Sequence, residues 1–587
     1  MIKTLLTVLG LFVTFTAITT VAMHDFSPRH TLFLLVDAIL LTAGAKLLQE
    51  TKSYYKTVAA AMAVLCSVFV IRYVTPTALK VWDVDIYISF CLGMVNIVLL
   101  VSAVLPRPVL PKLFPGLAGL ALFAPILLCW GYYATELSWL NVDSVMAVLQ
   151  TNAGEAMEYV KDRTGGFSVP LALLFAACLA VWVRLASRLT ATKHSWKRIA
   201  GLVFFLVLNV VLVFRTSDNF MTSIFRETKD YQKNYSEYAR QKEQRKQNLS
   251  QILLQGQTGK KGIYVLVIGE SQNPLRMSAY GYHLPTTPWL DSIKNDPNLL
   301  LFQQAYSCQV LTVPALTYAL TAKNQYNSLQ LEQAVSLIDV AKAAGYQTVW
   351  LSNQVRYGAW GTPVTVIADE ADQKIWINSH QGNTLDTEYY DGELIRRLQD
   401  VKRSDKMLIV IHLMGNHISY HSRYPAEFDK FKADGKRSEY DNSILYNDHV
   451  MQQLLEQVNR WPEFKGLVYF SDHGESVDRE LAHNPDNFIF EKMSYIPLYM
   501  YFSPEYVKEN EKTFQTLRAA RTHCFTNDLV FNTMLGIMDI RNEAFYEAEN
   551  DLASPSYNGD VNRFKTLYGK RSITEDADRQ KRLTGSL

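Results

Sequence analysis

The sequence predicts a polytopic α-helical membrane domain followed by a soluble α/β domain. Two patterns in the 587 residues support this: long apolar runs recur before residue 215, and short apolar runs alternate with amphipathic stretches after residue 261. A chain of this length exceeds the size of one compact domain, so at least two folded units are expected. The formal net charge of only +2 argues against nucleic acid as a partner.

Seven runs in the first 215 residues approach the length of a spanning helix, which needs about 20 mostly apolar residues. They are 4–23, 31–48, 57–74, 86–105, 115–134, 167–186 and 199–215. With the N-terminus inside, lysine and arginine are more frequent in the inner segments, above all in SRLTATKHSWKR at 187–198. Seven crossings then place the chain after residue 215 outside the cytoplasm, which in a double-membraned bacterium is the periplasm.

Two segments of intermediate polarity are predicted to lie at the membrane surface. The segment near 138–162 is too polar for a span but carries spaced apolar side chains, as interfacial helices do. Thr151 and Glu155 lie four residues apart, on one face of such a helix; from the spacing alone, a solvated polar face is the simpler interpretation. Residues 216–258 mix aromatic with charged side chains, which indicates an interfacial helical linker to the soluble domain.

Residues 259–550 predict a mostly parallel sheet covered by helices on both faces. Short runs rich in Val, Ile, Tyr and Phe alternate there with amphipathic stretches. In such sheets, sites form at the carboxyl ends of the strands. Cys308 and Cys524 are the two cysteines after residue 258, so at most one disulfide can form in this domain. Residues 551–587 form a polar C-terminal tail in this scheme.

Metal-ligating side chains follow two of the predicted strands. Glu270 follows the run VLVIG, and Asp472 with His473 follows the run VYFS. Two carboxylates and a histidine suit a hard-to-borderline dication such as zinc. Each residue alone is ordinary, since a lone glutamate is usually solvated and a lone histidine usually structural. Their joint placement at strand ends is what favours a metal site.

A metal centre of this kind also needs a nucleophile, and the segment AYSCQVLTVPALTYALTA offers five candidates. They are Ser307, Cys308, Thr312, Thr317 and Thr321. A hydroxyl beside a bound cation loses its proton more readily than a free one. Thr312 precedes a Val-Pro step expected to open a helix, whose N-terminus would face a phosphate. These arguments favour Thr312 and leave the other four open.

Two further histidines, His417 and His483, lie in predicted loops. A protonated imidazole there could hold phosphate oxygens or act as an acid on a leaving alkoxide. His412 and His421 are rivals, although His412 lies on an apolar run and is expected to be buried structure. Arg423 could add charge to the site, but surface solvation is its simpler role.

An ordered set of motifs resembles the bacterial phosphoethanolamine transferases of the alkaline phosphatase and sulfatase superfamily. The motifs are VIGES, MSAYGYHLPTTPWLD, HLMGNH, SRYP, YDNSILYNDH and YFSDHGES, with TN..EA beginning at Thr151. The resemblance implies a multi-pass protein of the bacterial inner membrane with a sulfatase-like catalytic domain in the periplasm. It also implies metal-dependent transfer of phosphoethanolamine from phosphatidylethanolamine to a lipopolysaccharide core sugar, lipid A, a glycan or a protein.

The resemblance also implies roles for individual residues. The implied Zn²⁺ ligands are Glu270, Thr312, Asp472 and His473. Thr312 would be the nucleophile of a double displacement, and its spacing to the following ALTAKN stretch at 319–324 is similar to that of core-modifying members. His417 and His483 would bind the phosphoryl group or transfer protons, while Thr151 and Glu155 would bind the donor lipid.

The sequence departs from the lipid A-directed members in three places. They have a Cys-Gly-Thr context where this chain reads CQVLT at 308–312, they carry several disulfides, and Ala147 replaces an asparagine one turn before Thr151. These departures favour a core-type sugar, a glycan or a protein hydroxyl as acceptor. The runs 4–23 and 31–48 are additions to the family's usual five spans.

Three other functions are compatible with parts of this sequence. A sulfatase needs Cys or Ser within C/S-x-P-x-R, whereas Cys308 is followed by QVLTVP. A phosphoglycerol transferase acting on a cell-envelope glycan would share the Thr-and-metal chemistry and differ in the headgroup transferred. A non-catalytic membrane protein used for binding or assembly would not require a complete set of ligand types at strand ends.

Overall fold

The computed structural model describes most of the chain. The described residues are 2–23, 28–48, 51–74, 81–105, 110–136, 139–140, 142, 144–146, 166–189, 195–253, 259–354, 363–378, 389–477 and 488–584. They divide near residue 230 into an N-terminal membrane unit and a C-terminal catalytic unit.

The membrane unit is helical. Its helices are α1 (Ile2–Met23), α2 (Pro28–Leu47), α3 (Thr51–Leu65), α4 (Val68–Val74), α5 (Val81–Val104), α6 (Leu110–Glu136), α7 (Ser168–Ala186), α8 (Trp196–Arg215) and the first half of α9 (Phe220–Arg240). Within the described ranges, five helices are long and apolar enough to cross a membrane: Lys52–Ile71, Val84–Val104, Lys112–Thr135, Val169–Ala186 and Trp196–Arg215. These five coincide with the last five predicted runs. Helices α1 and α2 lie at the first two runs, and the total of seven spans stays a prediction.

Polar side chains inside the membrane unit are paired across helices. The hydroxyl of Ser89 donates to Asp37 Oδ2 at 2.5 Å, and Asp37 is only 1% exposed. A second pair joins α5 to α8, where Asn96 Nδ2 donates to Asn209 Oδ1 at 2.9 Å. Such pairs matter because lipid offers no hydrogen-bond partners. An aspartate within the 31–48 run is therefore accommodated by a neighbouring helix.

The catalytic unit is built on a seven-stranded sheet in the order β2-β8-β7-β1-β6-β4-β5. The strands are β1 (Gly262–Gly269), β2 (Leu299–Phe302), β4 (Gln347–Ser352), β5 (Gln373–Trp376), β6 (Lys406–His412), β7 (Phe464–Ser471) and β8 (Leu498–Phe502). Neighbours from β7 to β5 are parallel, whereas β8 and β2 pair antiparallel. The predicted α/β domain after a polytopic membrane domain is thus confirmed.

The apolar sequence of the central strand β1 is continuous because both faces of the strand are buried. Tyr264, Leu266 and Ile268 belong to one hydrophobic core, while Ile263, Val265 and Val267 belong to another on the opposite face. Successive side chains of a strand point to opposite faces, so a sheet with helices on both sides buries every residue of its central strand.

Helices and two small sheets complete the catalytic unit. The helices are α10 (Lys242–Leu253), α11 (Pro288–Ile293), α12 (Thr312–Ala319), α13 (Leu337–Ala343), α14 (Pro363–Asp369), α15 (Gly392–Arg397), α16 (Gly435–Val458), α17 (Phe490–Met493), α18 (Pro504–Glu509), α19 (Glu511–Ala519), α20 (Val530–Ile537) and α21 (Arg579–Thr584). The small sheets pair β3 (Ala305–Tyr306) with β9 (Phe525–Thr526), and β10 (Lys565–Thr566) with β11 (Arg571–Ser572).

The second half of the predicted linker is packed into the catalytic unit. Arg245 of α10 is 2% exposed, its guanidinium lies 3.7 Å from the ring centre of Tyr238, and it pairs with Glu370 at 3.7 Å. It also donates to the carbonyl of Glu332 at 3.2 Å. Residues of the 216–258 segment are therefore shared between the two units instead of forming one separate element.

The segment after residue 550 is also part of the catalytic unit. Leu552, Phe564 and Ile573 are completely buried in the larger hydrophobic core. The sequence indicates a tail here because most residues of 551–587 are polar. Leu552 lies in a turn, Phe564 directly precedes β10, and Ile573 begins a short 3-10 helix, so the buried residues follow no regular period.

Candidate active site

Adjacent parallel strands bring the two acidic residues together. Gly269 at the end of β1 is in register with Ser471 at the end of β7, so Glu270 and Asp472 leave the sheet side by side. The carboxyl ends of parallel strands lie at one edge of a sheet, where sites form in such folds. This arrangement follows directly from the strand order.

Glu270, Asp472 and His473 form a compact buried cluster. One potential ligand atom from each residue lies within 4.8 Å of the other two, and each residue is at most 1% exposed. His473 Nε2 lies 3.5 Å from Glu270 Oε1 and 3.4 Å from Asp472 Oδ2. Among the described residues, this is the one group of three His, Cys, Asp or Glu side chains with the spacing of a metal site.

The orientation of His473 suits a metal ligand. Its Nδ1 lies 2.9 Å from the carbonyl oxygen of Gly474, a contact in which Nδ1 carries the proton and Nε2 keeps its lone pair. That lone pair then faces the carboxylate oxygens, an arrangement that a cation stabilises. Asp472 Oδ2 accepts no hydrogen bond from the described part of the chain, while Oδ1 accepts from the amides of Ser271 and His473 at 3.0 and 2.7 Å. The cluster therefore fits a bound dication.

The electrostatics of the cluster point the same way. Burial and the nearby negative charge of Asp472 raise the pKa of the Glu270 carboxyl well above its usual range. Burial also acts to raise the pKa of Asp472, but the positive charge that His473 carries when protonated, together with the amide of Ser271, lowers it overall. Without a cation the cluster therefore favours a neutral Glu270 beside an ionised Asp472, and a bound dication would take the place of the imidazolium charge and favour ionisation of both carboxylates.

Thr312 brings a hydroxyl to this cluster. Its Oγ1 donates to Glu270 Oε2 at 3.1 Å and lies 3.4 Å from His473 Nε2. Thr312 is the first residue of helix α12, so the helix begins where the Val-Pro step predicts. A helix N-terminus carries partial positive charge, which favours a phosphate at this position.

The other four candidate nucleophiles are hydrogen-bonded to backbone carbonyls or fully buried. Thr317 and Thr321 donate to backbone carbonyls four residues earlier, at 2.6 and 2.7 Å. Ser307 is completely buried and donates to a backbone carbonyl at 2.5 Å, and Cys308 is also completely buried. Cys308 and Cys524 are both free thiols in the structure. Ser307 reaches only the backbone of Asp472, so of the five candidates Thr312 is the one whose hydroxyl contacts a carboxylate of the cluster.

The loop that carries His417 is packed against Glu270. The amide of Asn416 donates to the carbonyl of Glu270 at 2.9 Å, and Gly415 adopts φ +51°. A Cβ at Gly415 would lie 2.9 Å from the backbone of Glu270, so this close approach requires glycine. Arg423 fixes the other side of the loop by donating to the carbonyl of His417 at 3.3 Å. Arg423 therefore has a structural contact that surface solvation does not describe.

The remaining histidines separate as follows. His412 lies at the end of β6 and is 3% exposed, which agrees with its expected structural role. His421 is an exposed residue with Nδ1 3.8 Å from Glu439 Oε2. Three predicted site residues lie outside the described residues: Thr151, Glu155 and His483.

Three residues that sequence reasoning missed support the cluster. Ser271, at φ +55°, donates its hydroxyl to Glu270 Oε1 at 2.7 Å. Asn527 Nδ2 donates to the carbonyl of Asp472 at 2.7 Å, and Gln354 Nε2 donates to the carbonyl of Leu413 at 2.9 Å, 3.5 Å from Glu270. The position of Ser271, directly after Glu270, could have suggested its role. Asn527 lies over 50 residues from Asp472, and no local pattern marks it.

Two family models match the chain. The sulfatase model matches residues 263–540, and the model described as phosphoethanolamine transferase EptA/EptB matches residues 139–236. The first covers the sheet and the cluster at its edge. The second covers the segment that contains Thr151 and Glu155.

Curated relatives match about three fifths of the chain. Phosphoethanolamine transferase EptC of Escherichia coli is 30% identical over 414 residues, which are 62% of this chain and 69% of the relative. Phosphoethanolamine transferase CptA of Salmonella typhimurium is 30% identical over 411 residues, 62% of this chain and 70% of the relative.

A solved structure shows the same fold. The integral membrane protein lipooligosaccharide phosphoethanolamine transferase A of Neisseria meningitidis matches 86% of this chain and 98% of its own, with a TM-score of 0.57 and 20% identity. The match to this chain covers more than two thirds of each of these relatives at 30% identity, and the solved structure agrees in architecture. The chain belongs to the phosphoethanolamine transferase family.

Proposed function

We propose that this protein transfers phosphoethanolamine from phosphatidylethanolamine to an envelope acceptor through a covalent intermediate on Thr312. The observation that carries the proposal is the contact between Thr312 Oγ1 and Glu270 in a buried cluster with Asp472 and His473. A hydroxyl is an effective nucleophile at phosphorus only when its proton is drawn away. In this cluster, the Glu270 carboxylate that accepts the hydroxyl proton and a cation bound beside it would both favour that ionisation.

The proposed metal is Zn²⁺, held by Glu270, Asp472, His473 and Thr312. Its donor set of carboxylates, an imidazole and a hydroxyl oxygen is one that zinc accepts. When bound, zinc supplies positive charge that favours ionisation of the hydroxyl and offsets charge on the phosphoryl oxygens. Glu270 orients the hydroxyl, and the Gly474 carbonyl fixes the ring of His473.

The proposed reaction has two displacements. Thr312 gives up its hydroxyl proton as Oγ1 attacks phosphorus, the bond from phosphorus to the diacylglycerol oxygen breaks, and diacylglycerol leaves after gaining a proton. The acceptor hydroxyl then attacks the same phosphorus and loses its proton, the bond to Thr312 Oγ1 breaks, and Oγ1 takes up a proton to regenerate the threonine. His417 and His483 are proposed to hold the phosphoryl oxygens and to deliver the proton to the leaving alkoxide.

The proposed acceptor is a lipopolysaccharide core sugar, another envelope glycan or a protein, in preference to lipid A. The reason is that the sequence departs from the lipid A-directed members around Cys308 and at Ala147. Mass spectrometry of lipid A, core sugars and surface proteins from cells with and without the gene tests this. One acceptor should lose one phosphoethanolamine in the deletion strain and regain it on complementation. A lost phosphoglycerol unit would instead identify a phosphoglycerol transferase, and no lost unit in any acceptor would contradict transfer.

We also propose that the protein lies in the inner membrane, with Thr151 and Glu155 contacting the donor lipid and the catalytic unit in the periplasm. The match of the family model over residues 139–236 supports the donor-site assignment. Alkaline phosphatase fused after Ser250 should therefore be active, and green fluorescent protein at the same site should not fluoresce. Fusions within 187–198 should give the opposite pattern, because seven spans place that segment in the cytoplasm. Fluorescence after Ser250 would overturn the proposed topology.

A further inference from the structure

A hairpin near the end of the chain contacts the segment that carries Thr312. The C-terminal hairpin comprises residues 565–572, with β10 and β11 as its strands. The nucleophile segment comprises residues 307–318, from the end of β3 through most of α12. The sulfatase model ends at residue 540, so the hairpin lies outside the part of the catalytic unit that this model matches.

Three hydrogen bonds and a ring stack join the two segments. Thr566 Oγ1 donates to the carbonyl of Ser307 at 2.7 Å, and the amide of Tyr568 donates to the carbonyl of Cys308 at 3.1 Å. The hydroxyl of Tyr568 donates to the carbonyl of Pro314 at 2.8 Å. Its ring stacks on Tyr318 with 4.4 Å between centres. Tyr568 thus contacts the nucleophile segment both before and after Thr312.

Helix α12 depends on such contacts. It is eight residues long, and its N-cap is Leu311, which has no side chain that could accept a hydrogen bond from the first turn. Helices this short are not stable by themselves in water. The direction of the Thr312 side chain is therefore set by what packs around the helix.

The backbone of the hairpin is strained where it makes these contacts. Leu567 and Tyr568 adopt φ +51° and +52°, a left-handed conformation that costs free energy for residues other than glycine. The strain is held in place by packing of Leu567 with Val310 and Met493. Two consecutive left-handed residues turn the Tyr568 amide and side chain together towards the nucleophile segment.

We propose that Tyr568 is a positioning residue that holds α12 so that Thr312 Oγ1 stays against Glu270. The proposal rests on the proposed role of Thr312 as nucleophile. Tyr568 takes no part in making or breaking bonds, but it fixes the direction from which the Thr312 hydroxyl approaches phosphorus. A small displacement of a nucleophile lowers the rate of the chemical step strongly and changes the affinity for substrate much less.

The test compares Tyr568→Phe and Tyr568→Asn in the purified full-length protein. Phenylalanine keeps the ring stack and loses the hydroxyl, while asparagine tolerates the left-handed backbone and loses both contacts. We expect kcat to fall about 3- to 10-fold for Tyr568→Phe and about 100-fold for Tyr568→Asn, on the scale of a misplaced nucleophile. KM for phosphatidylethanolamine should change by less than about 2-fold, and bound zinc should be unchanged.

Tyr557 provides a matched control in the same C-terminal segment. Its hydroxyl donates to the carbonyl of Cys524 at 2.5 Å, and its ring stacks on His523. Tyr557→Phe and Tyr557→Asn should lower thermal stability without lowering kcat of the folded fraction. Equal kcat losses in the two pairs, or a Tyr568→Asn loss that follows zinc content, would overturn the positioning role.

Thr312→Ala, measured alongside, separates the two proposals. If Thr312→Ala keeps the wild-type rate, the nucleophile assignment fails and takes the positioning role with it. If Thr312→Ala is inactive while Tyr568→Asn keeps the wild-type kcat, the positioning role alone is overturned.

Discussion

Replacing Thr312 by alanine is expected to abolish phosphoethanolamine transfer, with a rate at least about 1,000-fold below wild type. The variant removes the atom that would bond to phosphorus, and it leaves Glu270, Asp472 and His473 in place. Thr312→Ser keeps the hydroxyl and should retain measurable transfer, reduced because the missing methyl group leaves the side chain less constrained. The measurement is release of diacylglycerol from labelled phosphatidylethanolamine by the purified full-length protein.

Thr317 is the matched control for this experiment. It lies on the same helix, and its hydroxyl donates to the carbonyl of Val313 at 2.6 Å, away from the acidic cluster. Thr317→Ala should transfer at nearly the wild-type rate.

Mass spectrometry of wild-type protein quenched during turnover should find one phosphoethanolamine on the peptide that contains Thr312. Wild-type activity in Thr312→Ala, or a modified peptide elsewhere, would show that the nucleophile is a different residue.

Asp472→Asn is expected to lose the bound metal. Asparagine has nearly the same shape and its oxygen can still accept from the amide of Ser271, but the buried negative charge is gone. A divalent ion held by two carboxylates and an imidazole loses much of its binding free energy with that charge. Zinc measured by inductively coupled plasma mass spectrometry should fall well below the wild-type content, with activity lost in parallel.

Glu475 offers the control for metal loss. It is a buried carboxylate in the loop that also carries Asp472, and its Oε1 accepts from the hydroxyl of Tyr420 at 2.7 Å. Glu475→Gln should keep its zinc, because that carboxylate lies outside the cluster of potential ligands. Asp472→Asn with a full complement of zinc would mean that this carboxylate is not a ligand. Loss of zinc from both variants would point to general disruption of the loop.

The sequence predicts the fold and part of the site because these depend on local patterns. Apolar runs such as β1 identify buried parallel strands, and the residues directly after them, Glu270 and Asp472, are then expected at one sheet edge. The choice of Thr312 among five candidates could not be made from spacing. It depends on which polar atoms are already bonded to backbone carbonyls, and that is a property of the packed structure.

Long-range contacts account for what the sequence analysis did not find. Asn527 bonds to the backbone of Asp472, and Tyr568 to that of Cys308, across separations of 55 and 260 residues. No periodicity relates residues so far apart along the chain. The segment after residue 550 looks like a tail because it is mostly polar, although Phe564 and Ile573 are fully buried.

The burial of that last segment has a consequence for shortened chains. Phe564, Thr566 and Ile573 are fully buried in the catalytic unit, and Thr566 bonds to the backbone of Ser307. A chain that stops short of the hairpin would therefore leave part of the larger hydrophobic core exposed. Exposed apolar surface of this kind is a target for proteases and chaperones. Removal of the segment is thus expected to lower the amount of folded protein as well as to disturb the region around Thr312.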